Sequence, residues 1–350
     1  MTKQRDGQTM PRCRPMTGCL LLLCLLLGCT EPNTGPDSLA EYLARLERVT
    51  GVSIPERQPF NRSYDLPRAQ HTSRSASNQI DLIDFLSLSG CELQINLGRR
   101  NTQLGRTASP SQRLLLDLEF MRLAPACSAL LRERDNTELA ETLDLASHER
   151  QQHLANAISE AILMGPEWEA FWERPKVLAH YPDDTSSRMT AVLGQLAARS
   201  AQWLAGDWAA SNREFELLLS ELRAGDGGAL ILAYSVASRD IARATQMLLN
   251  MSQTAPLCPY GQPTKRSRIF ENIVSRFFVG DVQPWLVALR RRKEVLMTPV
   301  ETLEQPLLSS LSPRYVQWTQ QRAQLLSRQT NLIKTHIEAI QTALTGCASG

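Results

Sequence analysis

SPRYVQWTQQRAQLLSRQTNLIKTHIEAIQTALT, residues 312–345, decides the fold class. Ser312 followed by Pro313 marks a helix start: a serine hydroxyl caps free amides, and proline fits the first turn, where its missing N–H is not needed. From there Leu326, Ile333, Ile337, Ile340 and Leu344 follow at steps of seven, four, three and four, the spacing of one face of an α-helix. Back toward the N-terminus the same spacing returns at nearly every stretch after Ile80. Ser109-Pro110 opens a helix with Leu114, Leu118 and Met121 as its stripe, and Ala124-Pro125 is predicted to stop it. A long helix from about Thr137 is predicted to end at Gly165-Pro166, with further helices at 185–205, 209–224, 228–250, 266–278 and 281–295. No run alternates with period two, so the reading is all-α, a multi-helix globular body. Aromatics are only 6% of the chain, which leaves leucine, a strong helix former, to supply most of the core.

Upstream of that body, Ser38-Leu39-Ala40-Glu41 matches a capping box and predicts a helix to about Val49, with Leu39, Tyr42, Leu43 and Leu46 on one face. Residues 55–79 carry three prolines and many Ser, Asn and Arg, and read as irregular chain. Thr30 to Asp37 reads as a short polar tether.

The first 28 residues read as an export signal. Lys3, Arg5, Arg12 and Arg14 precede an apolar run from Leu20 to Leu27, broken only by Cys24, and a small residue stands at the cut. The run is far short of the roughly 20 residues that span a bilayer as a helix. Leu26-Leu27-Gly28-Cys29 resembles the lipobox of bacterial lipoproteins, in which the cysteine thiol receives a diacylglycerol and cleavage after the glycine exposes it as the new N-terminus. Cys19 precedes the apolar run it should follow and Cys24 has Leu23 before it, so Cys29 is the expected lipidation site and Gly28 the cleavage site. Two or three acyl chains hold a protein firmly where one binds marginally, so the expected partner is the membrane, through these chains. Thr30, not aspartate, in second place favours the outer membrane, facing the periplasm.

Loss of residues 1–28 removes three arginines, one lysine and Asp6, a net of +3, and turns the formal charge of +2 into −1. A nearly neutral chain of 322 residues with scattered arginines offers no basic stripe, so no nucleic-acid partner is expected. Its domain is read as 38–347, as one large domain or two packed halves at about 38–165 and 166–347. Arg290-Arg291-Arg292-Lys293 is predicted to lie in the last turn of a helix, where positive charge suits the dipole.

Beyond Cys29 the body keeps four cysteines, Cys91, Cys127, Cys258 and Cys347. An even number in an exported chain suggests two disulfides, with three connectivities that sequence alone does not distinguish. Pairing Cys91 with Cys127 and Cys258 with Cys347 is favoured because each pair falls at the ends of neighbouring predicted helices; the alternative is four buried thiols.

Catalytic readings fail on spacing. His148 and His153 are five residues apart in a stretch like the zinc-protease HExxH, which sets the imidazoles roughly 140° apart on a helix, where four steps would align them. There is no SxxK and no GxSxG, and Gly225-Asp226-Gly227-Gly228 lacks Walker spacing and reads as a helix break. Trp168 and Trp172, four apart, read as core before they read as the wall of a glycan or lipid groove. No catalytic residue, metal ligand or cofactor is expected.

Several stretches together, Leu82-Ile83-Asp84-Phe85, Cys91-Glu92-Leu93-Gln94, Arg100 to Arg106, Pro110-Ser111-Gln112-Arg113 and Gln283-Pro284-Trp285, with the lipobox cysteine, resemble an uncharacterised family of proteobacterial lipoproteins, domain of unknown function 3080. The resemblance covers nearly the whole mature chain and implies a helical Gram-negative envelope lipoprotein with no catalytic residues to carry over. The polar stretch 99–106 reads as a connecting loop or, through Arg99, Arg100, Asn101 and Arg106, as an anion-binding loop. Two classes of function are open: a non-catalytic binding or assembly protein with another envelope protein as partner, or a cell-wall or lipid-acting enzyme. A carrier of an apolar ligand is a third.

Overall fold

The computed structural model describes residues 34–68, 82–183, 185, 187–345 and 347. Helix α1, Gly35–Thr50, starts earlier than the predicted box at Ser38 and Glu41. Thr34 caps it, its Oγ1 accepting from the Asp37 amide at 3.3 Å while the Asp37 carboxylate accepts from the Thr34 amide at 3.3 Å, with Pro36 in the first turn. Leu39, Tyr42, Leu43 and Leu46 are buried, and the helix ends at Gly51 with φ 66°, a conformation that favours glycine. Irregular chain comes next, with one 3-10 turn at Arg62–Tyr64.

The helices continue as α2 Leu82–Ser87, α3 Leu93–Asn101, α4 Gln103–Arg106, α5 Pro110–Glu133, α6 Thr137–Gln152 and α7 Leu154–Ile162. After them come α8 Pro166–Trp172, α9 Arg188–Leu204, α10 Asn212–Leu222 and α11 Gly227–Thr254. Next is a rod of α12 Lys265–Ile273, a π-helical stretch Val274–Val282 and α13 Gln283–Glu304; a 3-10 segment Gln305–Ser310 then leads to α14 Pro313–Thr345. Among the described residues there is no strand, and the chain is all-α. No described helix is long and apolar enough to cross a membrane.

One proline reading and the bounds of two helices need correction. Ala124-Pro125 does not stop α5, which runs to Glu133. Proline inside a helix costs about 3 kcal/mol; here the residues beyond it offset the cost, since Cys127, Ser128 and Leu131 are all buried and Cys127 is bridged to Cys91. The rod likewise continues through Pro299 to Glu304. Pro284 cannot donate to a carbonyl one turn back, and the backbone before it opens into wider turns, with the Gln283 amide bonding to the Phe278 carbonyl five residues back. The basic run Arg290 to Lys293 therefore sits mid-helix and not in a last turn. The helix expected from Thr137 to Gly165 is broken at His153 into α6 and α7.

Helices α11 and α14 form the most extensive pairing, and α1 packs across α11 and the π stretch. The large core cluster takes Leu39 and Leu46 from α1, Leu114 from α5, Ile158 from α7, Trp168 from α8 and Leu326 from α14, so it runs across residue 165. A satellite core of Leu93, Leu97, Phe120, Leu131, Leu139 and Leu143 joins α3, α5 and α6. Each core has one disulfide: Cys91–Cys127 with Cα atoms 5.4 Å apart, and Cys258–Cys347 at 5.1 Å. The stripe read on α14 is shifted in phase. Leu326 and Ile340 are buried, but Ile337 is 39% exposed, and Arg322, Gln329 and His336 occupy the buried face.

Candidate functional site

Gly28 and Cys29 lie outside the described residues. The stretch 99–106 is helical, with only Thr102 between α3 and α4, its hydroxyl accepting from the Gly105 amide at 3.0 Å. Arg99 donates to Glu119 at 2.9 Å and Arg100 to Asp117, both carboxylates on α5, while Asn101 and Arg106 are exposed. The two arginines are thus neutralised by α5, which leaves little net charge for an anion. His148 and His153 are exposed, and no group of three or more His, Cys, Asp or Glu among the described residues is placed to hold a metal.

Gly225 and Asp226 lie between α10 and α11, Gly227 and Gly228 open α11, and these glycines permit a close approach. A Cβ on Gly225 or Gly227 would overlap the Phe171 ring, and one on Gly228 the Glu173 carbonyl. Asp226 does not cap α11 with its side chain. Its carboxylate accepts from Arg292 Nε at 2.8 Å and from the Tyr181 hydroxyl at 3.0 Å, at a cleft of about 300 Å³ lined by Leu178, Thr185 and Met189. Burial and then the Asp226 charge push the Tyr181 phenol far above its ordinary range. Burial alone would lower the Arg292 guanidinium, but Asp226 overrides it and holds it raised. Neither group is a proton donor near neutral pH. The cluster is a charge clamp that ties the start of α11 to α13, and Arg292 leaves the basic run for the interior, 8% exposed.

Trp168 and Trp172 are core. Trp168 stacks on Phe171 with centroids 5.1 Å apart, and Trp172 meets Trp318 edge-on at 5.0 Å. Beneath them lies a buried ionic cluster that the sequence reading missed. Arg322 donates to both Glu304 oxygens, at 3.0 and 2.5 Å, the Tyr315 hydroxyl donates to Glu304 at 2.8 Å, and Trp168 Nε1 donates to that hydroxyl at 2.9 Å. Burial and then Glu304 raise Tyr315 well above the usual phenol range.

A second missed cluster centres on His336, wholly buried between α1, α11 and the π stretch. Thr245 Oγ1 donates to the Ile241 carbonyl at 2.8 Å, so it accepts from His336 Nδ1 at 3.0 Å, and His336 Nε2 accepts the Tyr42 hydroxyl at 3.0 Å. The imidazole is therefore neutral, and burial lowers its pKa from 6.5 to about 4. The unfolded chain binds that proton more readily than the folded one. The contribution is whole above pH 6.5 and is lost as pH falls from 6.5 to 4, by about 3 kcal/mol in all. Urea unfolding at pH 7 and pH 4.5 is expected to show this acid loss in the protein and its absence in His336→Gln; equal pH slopes in the two would refute it.

A further concave feature is a cleft of about 870 Å³ between the end of α1 and α12, lined by Arg45, Arg48, Val49, Lys265, Arg266 and Ile269 among others. No curated protein and no solved structure matches this chain. A family model does, over residues 39–349, which is all of the helical body but the first turn of α1. The chain belongs to the protein family of unknown function DUF3080.

Proposed function

We propose that this protein is a lipoprotein of the bacterial envelope, held by acyl chains on Cys29 and serving as a non-catalytic binding or assembly protein at the periplasmic face of the outer membrane. The observation that carries the reading is the cysteine economy. Cys91, Cys127, Cys258 and Cys347 are all bridged, as suits an oxidising compartment, which leaves Cys29, directly behind an apolar run and Gly28, as the cysteine for acylation. The body begins at Thr34, so the tether is a few residues long and the helices would stand close to the lipid surface. The buried ionisable groups Arg322 with Glu304, Arg292 with the half-buried Asp226, Asp240 with Arg239 and Arg243, and the neutral His336 are committed to one another or to hydroxyls, which favours binding over turnover.

Cys29→Ser is expected to abolish incorporation of labelled fatty acid and to release the protein from membranes to the soluble fraction. Unchanged labelling and membrane association would overturn the anchor. Turnover of peptidoglycan or phospholipid by the purified protein would overturn the non-catalytic part.

A further inference from the structure

The cleft between α1 and α12 joins two kinds of surface that a folded body does not need side by side. Its floor is apolar, from Val49 and Ile273 with Ile269 44% exposed, and its rim is cationic, from Arg45, Arg48, Lys265 and Arg266. Two of these cations have structural tasks. Arg266 donates to the Val49 and Thr50 carbonyls at 2.6 and 2.5 Å, satisfying the end of α1, and Arg45 pairs with Glu41 at 2.5 Å beside the Phe277 ring. The other acid on this side of α1, Glu47, accepts from the Ile54 amide at 3.1 Å. Arg48 and Lys265 are exposed and have no ion-pair partner among the described residues. Lys265 also stands in the first turn of α12, where the helix dipole disfavours a cation. That is a local cost with no structural return, the kind of conflict expected at functional sites. The α12 N-terminus itself is closed by its Thr264 and Ser267 capping box, so the attraction comes from the side chains.

We propose that this cleft binds one molecule of an anionic single-chain lipid, its phosphate or carboxylate between Arg48 and Lys265 and its acyl chain along Val49, Ile269 and Ile273. A volume of about 870 Å³ lies within the range of small-molecule sites. Positive rim and apolar floor are complementary to the two ends of such an amphiphile and to neither end alone. The proposal does not rest on the acyl anchor, because it is tested on a protein without Cys29.

The experiment uses the chain from Thr30 onward, which keeps every described element and both disulfides, with its circular dichroism and melting checked for each variant. Monomeric lysophosphatidylglycerol, below its critical micelle concentration, is titrated by calorimetry beside lysophosphatidylcholine and inorganic phosphate. One-to-one binding of the anionic lipid is expected, at least ten-fold tighter than the zwitterionic one, with phosphate alone much weaker than either. Arg48→Glu with Lys265→Glu, and separately Ile269→Asp, are each expected to weaken it at least ten-fold while the fold stays intact. Phosphate binding as tight as the lipid would make this a plain anion site and overturn the proposal. So would equal affinity for the two lipids, unchanged binding in both variants, or binding to anionic vesicles with none to the monomer.

Discussion

Arg322→Leu is expected to lower the free energy of unfolding by about 3–5 kcal/mol, among the largest losses any single exchange here would produce. Arg322 and Glu304 are 3% and 4% exposed, so removing the guanidinium leaves a carboxylate inside the protein with only the Tyr315 hydroxyl as donor. The exchange also removes the guanidinium that lies against both the Trp172 and Trp318 rings, whose centroids are 4.9 and 4.6 Å from its carbon. A buried ion pair is different from the sum of its halves: replacing both members by apolar residues is often close to neutral. Arg322→Met with Glu304→Leu is therefore expected to regain most of what Arg322→Leu loses. Urea midpoints at unchanged slope are the measurement; a single exchange costing under about 1 kcal/mol would mean that solvent reaches the pair.

Removing the Cys258–Cys347 bridge by Ser at both positions is expected to cost about 4–5 kcal/mol, because the bridge closes a loop across 89 residues of sequence. The loop holds the rod α12–α13 and α14, so its loss frees the C-terminus from the main core. Cys91–Cys127 spans 36 residues and is worth about 4 kcal/mol on the same chain-entropy argument. Its loss has a local signature: hydrogen exchange should rise in α3 and in α5 beyond Pro125, with α11 and α14 left protected. Unfolding that is unchanged by either pair of substitutions would mean that the bridges are absent from the protein as made.

Apolar periodicity predicted the all-α body and the buried face of α1, and the glycines at 225–228 predicted a helix break that falls at residues 223–226, because those features depend on residues within a turn or two of each other. The errors came where a distant partner decides. Pro125 reads as a stop until the bridge to Cys91 and the satellite core are seen to hold the helix beyond it. The 99–106 stretch reads as a loop until Asp117 and Glu119 supply partners for its arginines. On α14 a pattern built on apolar residues passed over Arg322 and His336, though both fall in phase with Tyr315, Trp318 and Leu325 at steps of three, four, three and eleven. That phase was the available signal: a charged or titratable residue inside a buried stripe implies a partner elsewhere, here Glu304 in one case and Tyr42 with Thr245 in the other. The α1–α12 cleft had no linear signature, since Arg48 and Lys265 are brought together only by the fold.

The hydrogen bond from Tyr42 to His336 joins residues 294 positions apart. It makes time part of the architecture. A chain is made from its N-terminus, so α1 arrives first, while the elements it packs on most, α11, α12 and the π stretch, come late, and its partner His336 on α14 comes later still. Until then Leu39, Tyr42, Leu43 and Leu46 lack the surfaces against which the finished body buries them. The native seat of α1 can therefore be completed only after those later helices have been made.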